Sequence, residues 1–198
     1  MSVPVQDAID AALGGELIVM PTDTVYGIGT RPDAPDATAA LFAAKGRPRD
    51  LELPVLVPSV ASAAAVAVLD ERAERLAATL WPGALTLVLP RSGESIGWDL
   101  GGDGTTIGVR LPRHSLALAV LAGSGPLAVT SANRSGEPTP PTCAEIVEVF
   151  GGSVAVYLCA ELALPGRAST VVDLAHGDPA IVRAGDVDER TIAHVLAG

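Results

Sequence analysis

The chain has 198 residues, of which 48% are hydrophobic, 18% charged and 3% aromatic, and its formal net charge is −10. This length suits one domain with a substantial buried core, so we expect a single domain over residues 1–198. The longest apolar stretch, residues 60–69, is about half of the roughly twenty residues that a membrane-spanning helix needs. We therefore expect no membrane association. We also expect no secretory signal, because the first residues lack a basic segment followed by an apolar one.

Cysteine content and net charge exclude further classes of protein and binding site. Cys143 and Cys159 are too few for a disulfide framework or a four-thiolate zinc site, and the simplest location is cytoplasmic. An acidic chain does not hold nucleic acid through its overall field, so an anionic ligand must meet a local basic cluster. The single lysine, Lys45, lies among arginines in the densest basic stretch, residues 45–49. This pattern fits either a site that needs a compact ammonium donor or a solvated loop.

Helical and strand-like patterns alternate along the whole chain. Apolar periodicity and end signals predict helices over residues 5–13, 34–44, 59–80 (as one or two helices), 115–121, 143–150 and 187–196. Asp36 and Asp186 are the predicted N-terminal caps of the second and the last of these helices. Short apolar runs ended by Pro or Gly predict strands over residues 17–20, 54–57, 85–89, 106–111, 127–130, 154–158, 170–174 and 181–183.

The order of these elements indicates the fold class. Short strands interleaved with helices predict an α/β fold of the α+β type, with a twisted mixed parallel and antiparallel sheet and flanking helices. Residues 92–105 are rich in glycine and acidic residues and predict a mobile loop.

Several familiar catalytic motifs are absent from the sequence. There is no Gly-x-x-x-x-Gly-Lys-Ser/Thr loop, and the glycines of residues 27–29 lack the third glycine of a dinucleotide-binding fingerprint. The three histidines do not have metal-ligand spacing, and no Gly-x-Ser-x-Gly elbow occurs. We therefore expect no P-loop nucleotidase, no zinc enzyme and no serine hydrolase, and no metal site built from protein ligands.

Polar clusters instead follow the predicted strands, where open sheets place their ligands. They are residues 21–29, 45–50, 105–110 and 130–138, together with two late strand boundaries at 168–173 and 183–186. In residues 45–50, lysine and arginine could face one polyphosphate, the lysine as a point charge and the arginine as a bidentate fork. Strand alternation places Arg110 on one face with Thr106 and Gly108, where Arg110 could bind a carboxylate or form a structural ion pair. Each cluster alone also fits an ordinary turn, but together they favour a ligand site.

The content and order of these clusters resemble the YrdC-like threonylcarbamoyl-AMP synthase family in its short, single-domain form. The matching segments are PTDTVYGIG (21–29), KGRPRD (45–50), WPGALTLVL (81–89), TIGVRLP (106–112), TSANRSGEP (130–138), STVVD (169–173) and RAGD (183–186). The most specific part is a lysine-x-arginine pair followed by serine-x-asparagine, carried by Lys45, Arg47, Ser131 and Asn133. The resemblance implies a YrdC-like fold with one large, positively charged concave cavity.

The resemblance also implies an activity, namely the condensation of L-threonine, bicarbonate or CO2, and ATP to threonylcarbamoyl-AMP with release of pyrophosphate. This product would serve threonylcarbamoyladenosine modification of tRNA, with Mg²⁺ accompanying ATP and separate proteins carrying out the transfer to tRNA. A weak direct contact with tRNA is compatible with this interpretation. The alternative is a non-catalytic YrdC-like paralogue that binds RNA or a nucleotide. A further alternative is the carbamoyl-adenylate module of a metalloenzyme maturation factor.

The resemblance assigns roles to individual residues. Lys45 and Arg47 are the expected catalytic residues, neutralising the leaving pyrophosphate. The expected ATP-binding residues are Lys45, Arg47, Arg49, Thr106, Asn133 and Arg183. The expected threonine-binding residues are Thr22, Tyr26, Arg110, Ser131 and Ser169, with Arg110 facing the carboxylate.

Three residues depart from the family pattern. Leu51 and Glu52 stand where the family often has a basic or amide residue followed by proline, and Pro141 stands where it commonly has threonine. We expect Glu52 to make the entrance to the ATP site less positive. We expect Pro141 to remove one hydroxyl contact.

Overall fold

The computed structural model describes residues 3–160 and 164–198 of the chain. Its α-helices are α1 (Val3–Leu13), α2 (Pro35–Lys45), α3 (Val60–Val66), α4 (Glu71–Leu80), α5 (Ser115–Ser124), α6 (Cys143–Phe150) and α7 (Glu189–Ala197). Its strands are β1 (Ile18–Met20), β2 (Gly27–Thr30), β3 (Val55–Leu56), β4 (Leu85–Pro90), β5 (Thr106–Arg110), β6 (Leu127–Ser131), β7 (Val156–Tyr157), β8 (Thr170–Asp173) and β9 (Ala180–Arg183). Within the described residues, no helix is long and apolar enough to cross a membrane.

All of these strands join one sheet in the order β7-β1-β2-β6-β3-β5-β4-β8-β9. The pairs β1–β7, β3–β5 and β4–β8 are parallel, and the remaining neighbours are antiparallel. The prediction of a mixed sheet with flanking helices is therefore confirmed. The strand β2 is a finding that the sequence analysis missed, because its glycines carry little strand propensity.

The two faces of the sheet bury different helices because successive side chains in a strand point to opposite sides. The face that carries Leu87, Ile107 and Val109 packs into a large apolar cluster with residues of α2, α3, α4, α6 and α7. The opposite face packs against α1 and α5, which supply Ile9 and Val120. That second layer involves β1, β6 and β7 but no residue of β5, β4 or β8. The second face thus remains open over those three strands, and this opening becomes the floor of a cavity.

Two predicted helix caps lie elsewhere in the structure. The N-cap of α2 is Ala34, with Pro35 at the first helical position and Asp36 inside the first turn. The N-cap of α7 is Asp188, whose carboxylate accepts a hydrogen bond from the backbone N–H of Thr191 at 2.8 Å. Both caps differ from the prediction by two residues, because α2 begins with Pro35 and no side-chain cap, and at α7 Asp188 caps the helix in place of the nearby Asp186.

Part of the segment predicted as a mobile loop, residues 92–105, packs against the core, whereas residues 102–105 are exposed. Residues Gly93–Gly97 form a 3₁₀ helix, and Ser95 and Leu100 are fully buried. The backbone N–H of Leu53 donates to the carbonyl of Leu100 at 2.8 Å. Burial of Leu100 and this hydrogen bond hold that part of the segment in place although several glycines surround it.

The two cysteines form a single disulfide, Cys143–Cys159, across 16 residues. It joins the start of α6 to the segment that follows β7. The cysteine count correctly excluded a framework of several disulfides, but it gave no sign of this one bridge, since pairing depends on distance in the fold.

Candidate functional site

A cavity of about 670 Å³ lies over the open face of the sheet. Its floor includes Thr86, Gly108 and Arg110, and its walls come from the segments that follow β1, α2 and β6. The predicted site residues among its lining residues are Thr22, Tyr26, Arg47, Arg110, Ser131, Asn133, Ser169 and Arg183. Three other predicted site residues, Lys45, Arg49 and Thr106, are not among the lining residues.

Arg47 and Arg183 bring two positive charges to this cavity. The Arg47 guanidinium donates to the backbone carbonyls of Leu51 at 3.0 Å and Glu52 at 2.8 Å. The Arg183 guanidinium donates to the carbonyl of Ser169 at 2.8 Å and to its hydroxyl at 2.9 Å. Burial lowers the pKa of Arg47, and the nearby positive charge of Arg183 lowers it further. These partners are neutral, so they hold the two guanidinium groups in place without cancelling their charge.

Lys45 is the last residue of α2, and its side chain is buried beneath the segment that follows β6. Gly46, with φ of +60°, ends α2 in a left-handed turn that a residue with a Cβ rarely adopts. The Lys45 ammonium donates to the carbonyls of Ser131 and Asn133, each at 2.5 Å. Burial lowers its pKa to about 8, and the positive charge of Arg47 contributes to this shift. In this geometry Lys45 positions the serine-x-asparagine segment from behind.

The Asn133 side chain makes hydrogen bonds within the loop of residues 133–139. Its amide nitrogen donates to the carbonyls of Arg134 at 2.8 Å and Glu137 at 2.6 Å. The Thr139 hydroxyl lies 3.5 Å from the Asn133 amide oxygen. These contacts shape the loop of residues 133–139, of which Asn133, Glu137, Pro138 and Thr139 line the cavity.

Arg110 forms a buried ion pair at the other end of the floor. Its guanidinium donates to the Asp23 carboxylate at 2.6 Å, to the Thr24 hydroxyl at 2.9 Å and to the carbonyl of Gly83 at 2.9 Å. The side chains of Arg110 and Asp23 are only 7% and 8% exposed. Burial lowers the pKa of Arg110, and the charge of Asp23 opposes that shift. Of the two interpretations of Arg110 that the sequence left open, the ion pair is present.

Several hydroxyl groups lie at the end of the cavity that contains Arg110. The Thr22 hydroxyl donates to the carbonyl of Val25 at 2.6 Å and lies 2.9 Å from the Thr24 hydroxyl. The Ser169 hydroxyl lies 2.8 Å from that of Thr86. Thr86 is a site residue that was not predicted, although a lone polar residue between Leu85 and Leu87 in an apolar strand is a recognisable signal.

Tyr26 closes the site on the side of β7. Its hydroxyl accepts a hydrogen bond from the backbone N–H of Ala160 at 2.9 Å, and its side chain is buried. This contact fixes the ring in the cavity wall. A second cavity, of about 710 Å³, shares Thr22 as a lining residue.

Glu52 lines the cavity, but its charge is compensated. Its carboxylate accepts a hydrogen bond from Arg91 at 2.7 Å and one from the Thr106 hydroxyl at 3.3 Å. Burial raises the pKa of Glu52, and Arg91 opposes the shift. The expectation that Glu52 makes the entrance to the ATP site less positive did not include its ion pair with Arg91. The sequence analysis missed its partner Arg91, which lies 39 residues away.

Arg49 turns away from the other basic residues of its segment. Its guanidinium pairs with Asp99 and lies over the ring of Phe42, 4.7 Å from the ring centroid. The described residues contain no group of three or more potential metal ligands that could hold an ion.

Comparison with known proteins identifies the family. The Sua5/YciO/YrdC family model, which carries the description "Telomere recombination", matches residues 10–185. The chain belongs to the Sua5/YciO/YrdC family.

Relatives within the Sua5/YciO/YrdC family cover most of this chain. A Mycobacterium leprae relative is 44% identical over 193 residues, covering 97% of this chain and 87% of its own length. A Pyrococcus abyssi protein named threonylcarbamoyl-AMP synthase is 37% identical over 184 residues, covering 92% of this chain but 54% of its own. The resemblance drawn from the motifs is therefore confirmed. The chain spans little more than half of the Pyrococcus abyssi protein.

Solved structures of Sua5/YciO/YrdC proteins share the fold. Pyrococcus abyssi Sua5 complexed with L-threonine superposes with a TM-score of 0.88 at 34% identity, covering 97% of this chain and 57% of that one. Escherichia coli YciO superposes with a TM-score of 0.86 at 24% identity, covering 95% of this chain and 92% of that one. The fold class is confirmed by both, while the roles assigned to individual residues stay predictions.

Proposed function

We propose that this chain is a threonylcarbamoyl-AMP synthase that consumes L-threonine, bicarbonate or CO2, and ATP with Mg²⁺. The reaction transfers the adenylyl group of ATP to a threonine carbamate, so the enzyme is a nucleotidyltransferase. Support comes from the family, from relatives that carry this name and from the Pyrococcus abyssi structure with L-threonine. The proposal includes a cytoplasmic location and a supply of product to separate proteins that modify tRNA.

The observation that carries the proposal is that the guanidinium groups of Arg47 and Arg183 line one cavity. Both have only neutral hydrogen-bond partners, and the charge of Arg183 lowers the pKa of Arg47 while that of Asp50 opposes this shift. Two like charges held together are costly unless an anion enters between them. A triphosphate supplies that anion, and arginine suits phosphate oxygens through its paired donors. Lys45 keeps the segment of Ser131 and Asn133 in place beside them.

The threonine end of the cavity is proposed at Arg110 and Asp23. One oxygen of Asp23 is buried and has no hydrogen-bond partner among the described residues. A zwitterionic amino acid complements such a pair, with its carboxylate near the guanidinium and its ammonium or hydroxyl near the carboxylate. Thr22, Tyr26 and Ser169 complete this end.

The chemistry needs positioning more than acid–base assistance. The unprotonated threonine amine attacks CO2 and loses a proton to give a carbamate, or it attacks bicarbonate and gives the same carbamate with loss of water. A carbamate oxygen then attacks the α-phosphorus of ATP, and pyrophosphate leaves. Phosphoryl-type transfer depends on alignment and on neutralising the charge of the leaving group. Arg47 and Arg183 supply that positive charge, and no residue is proposed as a general base.

Magnesium enters with ATP as part of the substrate. Mg²⁺ commonly keeps several waters and binds through one or two carboxylates and the substrate phosphates, so it does not require a cage of protein ligands. Asp50 lies in the cavity wall and raises the pKa of Arg47 through its charge. Its carboxylate is available to such an ion.

The test is pyrophosphate release from ATP and Mg²⁺, with L-threonine and bicarbonate each added or omitted. We expect release only when both small substrates are present. We expect Lys45→Ala to abolish that release, since the segment of Ser131 and Asn133 loses its anchor. Binding of ATP without pyrophosphate release would instead support the non-catalytic alternative, and near-normal turnover by Lys45→Ala would refute the assignment of the nucleotide site.

A further inference from the structure

Glu52 is a charged residue of the cavity wall to which the proposed mechanism gives no role. Its carboxylate is held from two sides, by Arg91 at 2.7 Å and by the Thr106 hydroxyl at 3.3 Å. Gly102 packs against its stem, because a Cβ at Gly102 would lie 3.2 Å from the Glu52 Cβ. The carboxylate is therefore fixed in one orientation at the cavity wall.

Arg91 makes this acid tolerable beside an anion-binding site. Its side chain is 4% exposed and also donates to the carbonyls of Thr106 at 2.6 Å and Trp98 at 2.7 Å. A carboxylate has about four acceptor positions, and the contacts from Arg91 and Thr106 occupy two. Glu52 thus keeps the capacity to accept a hydrogen bond from a ligand.

The position of Glu52 along the floor indicates which ligand it meets. It is bonded to Thr106 at the first residue of β5, whereas Arg110 is the last residue of that strand. Four residues of strand correspond to roughly 13 Å at about 3.3 Å per residue. This distance exceeds the length of a threonine molecule. Glu52 is therefore bonded at the opposite end of β5 from Arg110, away from the proposed amino-acid site and on the side left for the nucleotide.

The neighbouring arginine indicates which part of the nucleotide it meets. Arg47 donates directly to the backbone carbonyl of Glu52 at 2.8 Å. If Arg47 binds the phosphates of ATP, the ribose that is attached to them lies next to Glu52. A carboxylate repels phosphate but accepts hydrogen bonds from hydroxyl groups, and ribose carries two of them.

We propose that Glu52 is a specificity-determining residue that accepts a hydrogen bond from a ribose hydroxyl of ATP and so favours ribonucleotides over deoxynucleotides. This inference rests on the proposed function of the same cavity. It assigns a ligand contact to a residue that departs from the family pattern.

The experiment compares ATP with 2′-deoxy-ATP and 3′-deoxy-ATP, by pyrophosphate release at saturating threonine and bicarbonate and by equilibrium binding. We expect the wild-type protein to favour ATP over one of the two by roughly 10- to 100-fold, the range for a hydrogen bond to a charged group. We expect Glu52→Ala to lose ATP affinity by that factor while its affinity for that deoxynucleotide stays unchanged. The KM for threonine should not move.

Two further variants guard against effects of misfolding and of charge alone. Glu52→Ala leaves the buried Arg91 unpaired, so Glu52→Ala/Arg91→Met removes both charges and should show the same loss of discrimination. Glu94→Gln removes one negative charge from the exposed 3₁₀ segment and should keep the wild-type preference for ATP.

The outcomes separate this inference from the proposed function. Equal loss of affinity for ATP and both deoxynucleotides, or an unchanged preference in the Glu52 variants, would overturn it. Absence of threonine-dependent pyrophosphate release would count against the proposed function alone, since the binding measurements still compare the nucleotides.

Discussion

Arg110 and Arg47 line the same cavity, but Arg110 pairs with a carboxylate whereas Arg47 pairs only with backbone carbonyls. Arg110 faces the Asp23 carboxylate at 2.6 Å, and both side chains are almost fully buried. Arg47 has carbonyl partners and lies near the second positive charge of Arg183. One arginine is neutralised within the protein, whereas the other two keep a net positive charge for a ligand.

This difference separates two kinds of substrate recognition. A neutralised pair suits a zwitterion, which brings one charge of each sign and leaves the total unchanged. Arginines without a carboxylate as hydrogen-bond partner suit a polyphosphate, whose charge they offset. Since the protein as a whole carries a net charge of −10, its attraction for an anion must come from this local arrangement. Three predictions test the contrast, starting with the largest expected effect.

Arg110→Ala should lower the free energy of unfolding by about 3–5 kcal/mol, because it leaves the buried Asp23 carboxylate without its partner. Chemical denaturation measures this loss. The same variant should raise the KM for threonine far more than the KM for ATP, because Arg110 lies at the proposed amino-acid end.

The control for this prediction removes both charges. Asp23→Asn/Arg110→Met should recover much of the lost stability but not the affinity for threonine. A single variant as stable as the wild type would contradict the picture of a coupled buried pair. Equal weakening of threonine and ATP would contradict the proposed role of Arg110.

Arg47→Ala should weaken ATP binding by roughly 10- to 100-fold, while stability changes by about 1 kcal/mol, since its lost partners are backbone carbonyls that water can reach. Isothermal titration with Mg²⁺ and ATP measures the affinity. Arg190→Ala, which removes the same charge from exposed α7, should bind ATP like the wild type. A loss as large in Arg190→Ala would mean that net charge alone governs ATP binding.

The affinity for ATP should fall by a few-fold between pH 7 and pH 9 through Lys45. Burial lowers the pKa of this ammonium to about 8, so its positive charge is present below that pH and is lost as the pH rises through it. ATP titrations across this range measure the step. Lys45→Met carries no titrating group and should show no such step; the same step in that variant would assign it to another residue.

The sequence predicted the elements far better than their ends. The strand β4 was predicted over residues 85–89 because burial demands continuous hydrophobicity, and the described α-helices lie within or overlap the segments predicted as helical. The predicted caps Asp36 and Asp186 are wrong: α2 begins after Ala34 with no side-chain cap, and at α7 the nearby Asp188 satisfies the same local rule as Asp186. The strand at Gly27–Thr30 was missed since pairing with β6, and not propensity, makes it a strand.

The amino-acid sequence by itself determined the family, the mixed sheet and the basic and hydroxyl segments that surround the cavity, because these follow from local motifs and apolar patterning. Only the tertiary structure decided which charges remain available to a ligand. The pairs Arg110–Asp23 and Arg91–Glu52 and the contacts of Lys45 with the segment after β6 join residues 39 to 88 positions apart. Coulomb interactions depend on distance in space and on burial, and neither can be read from the order of residues along the chain.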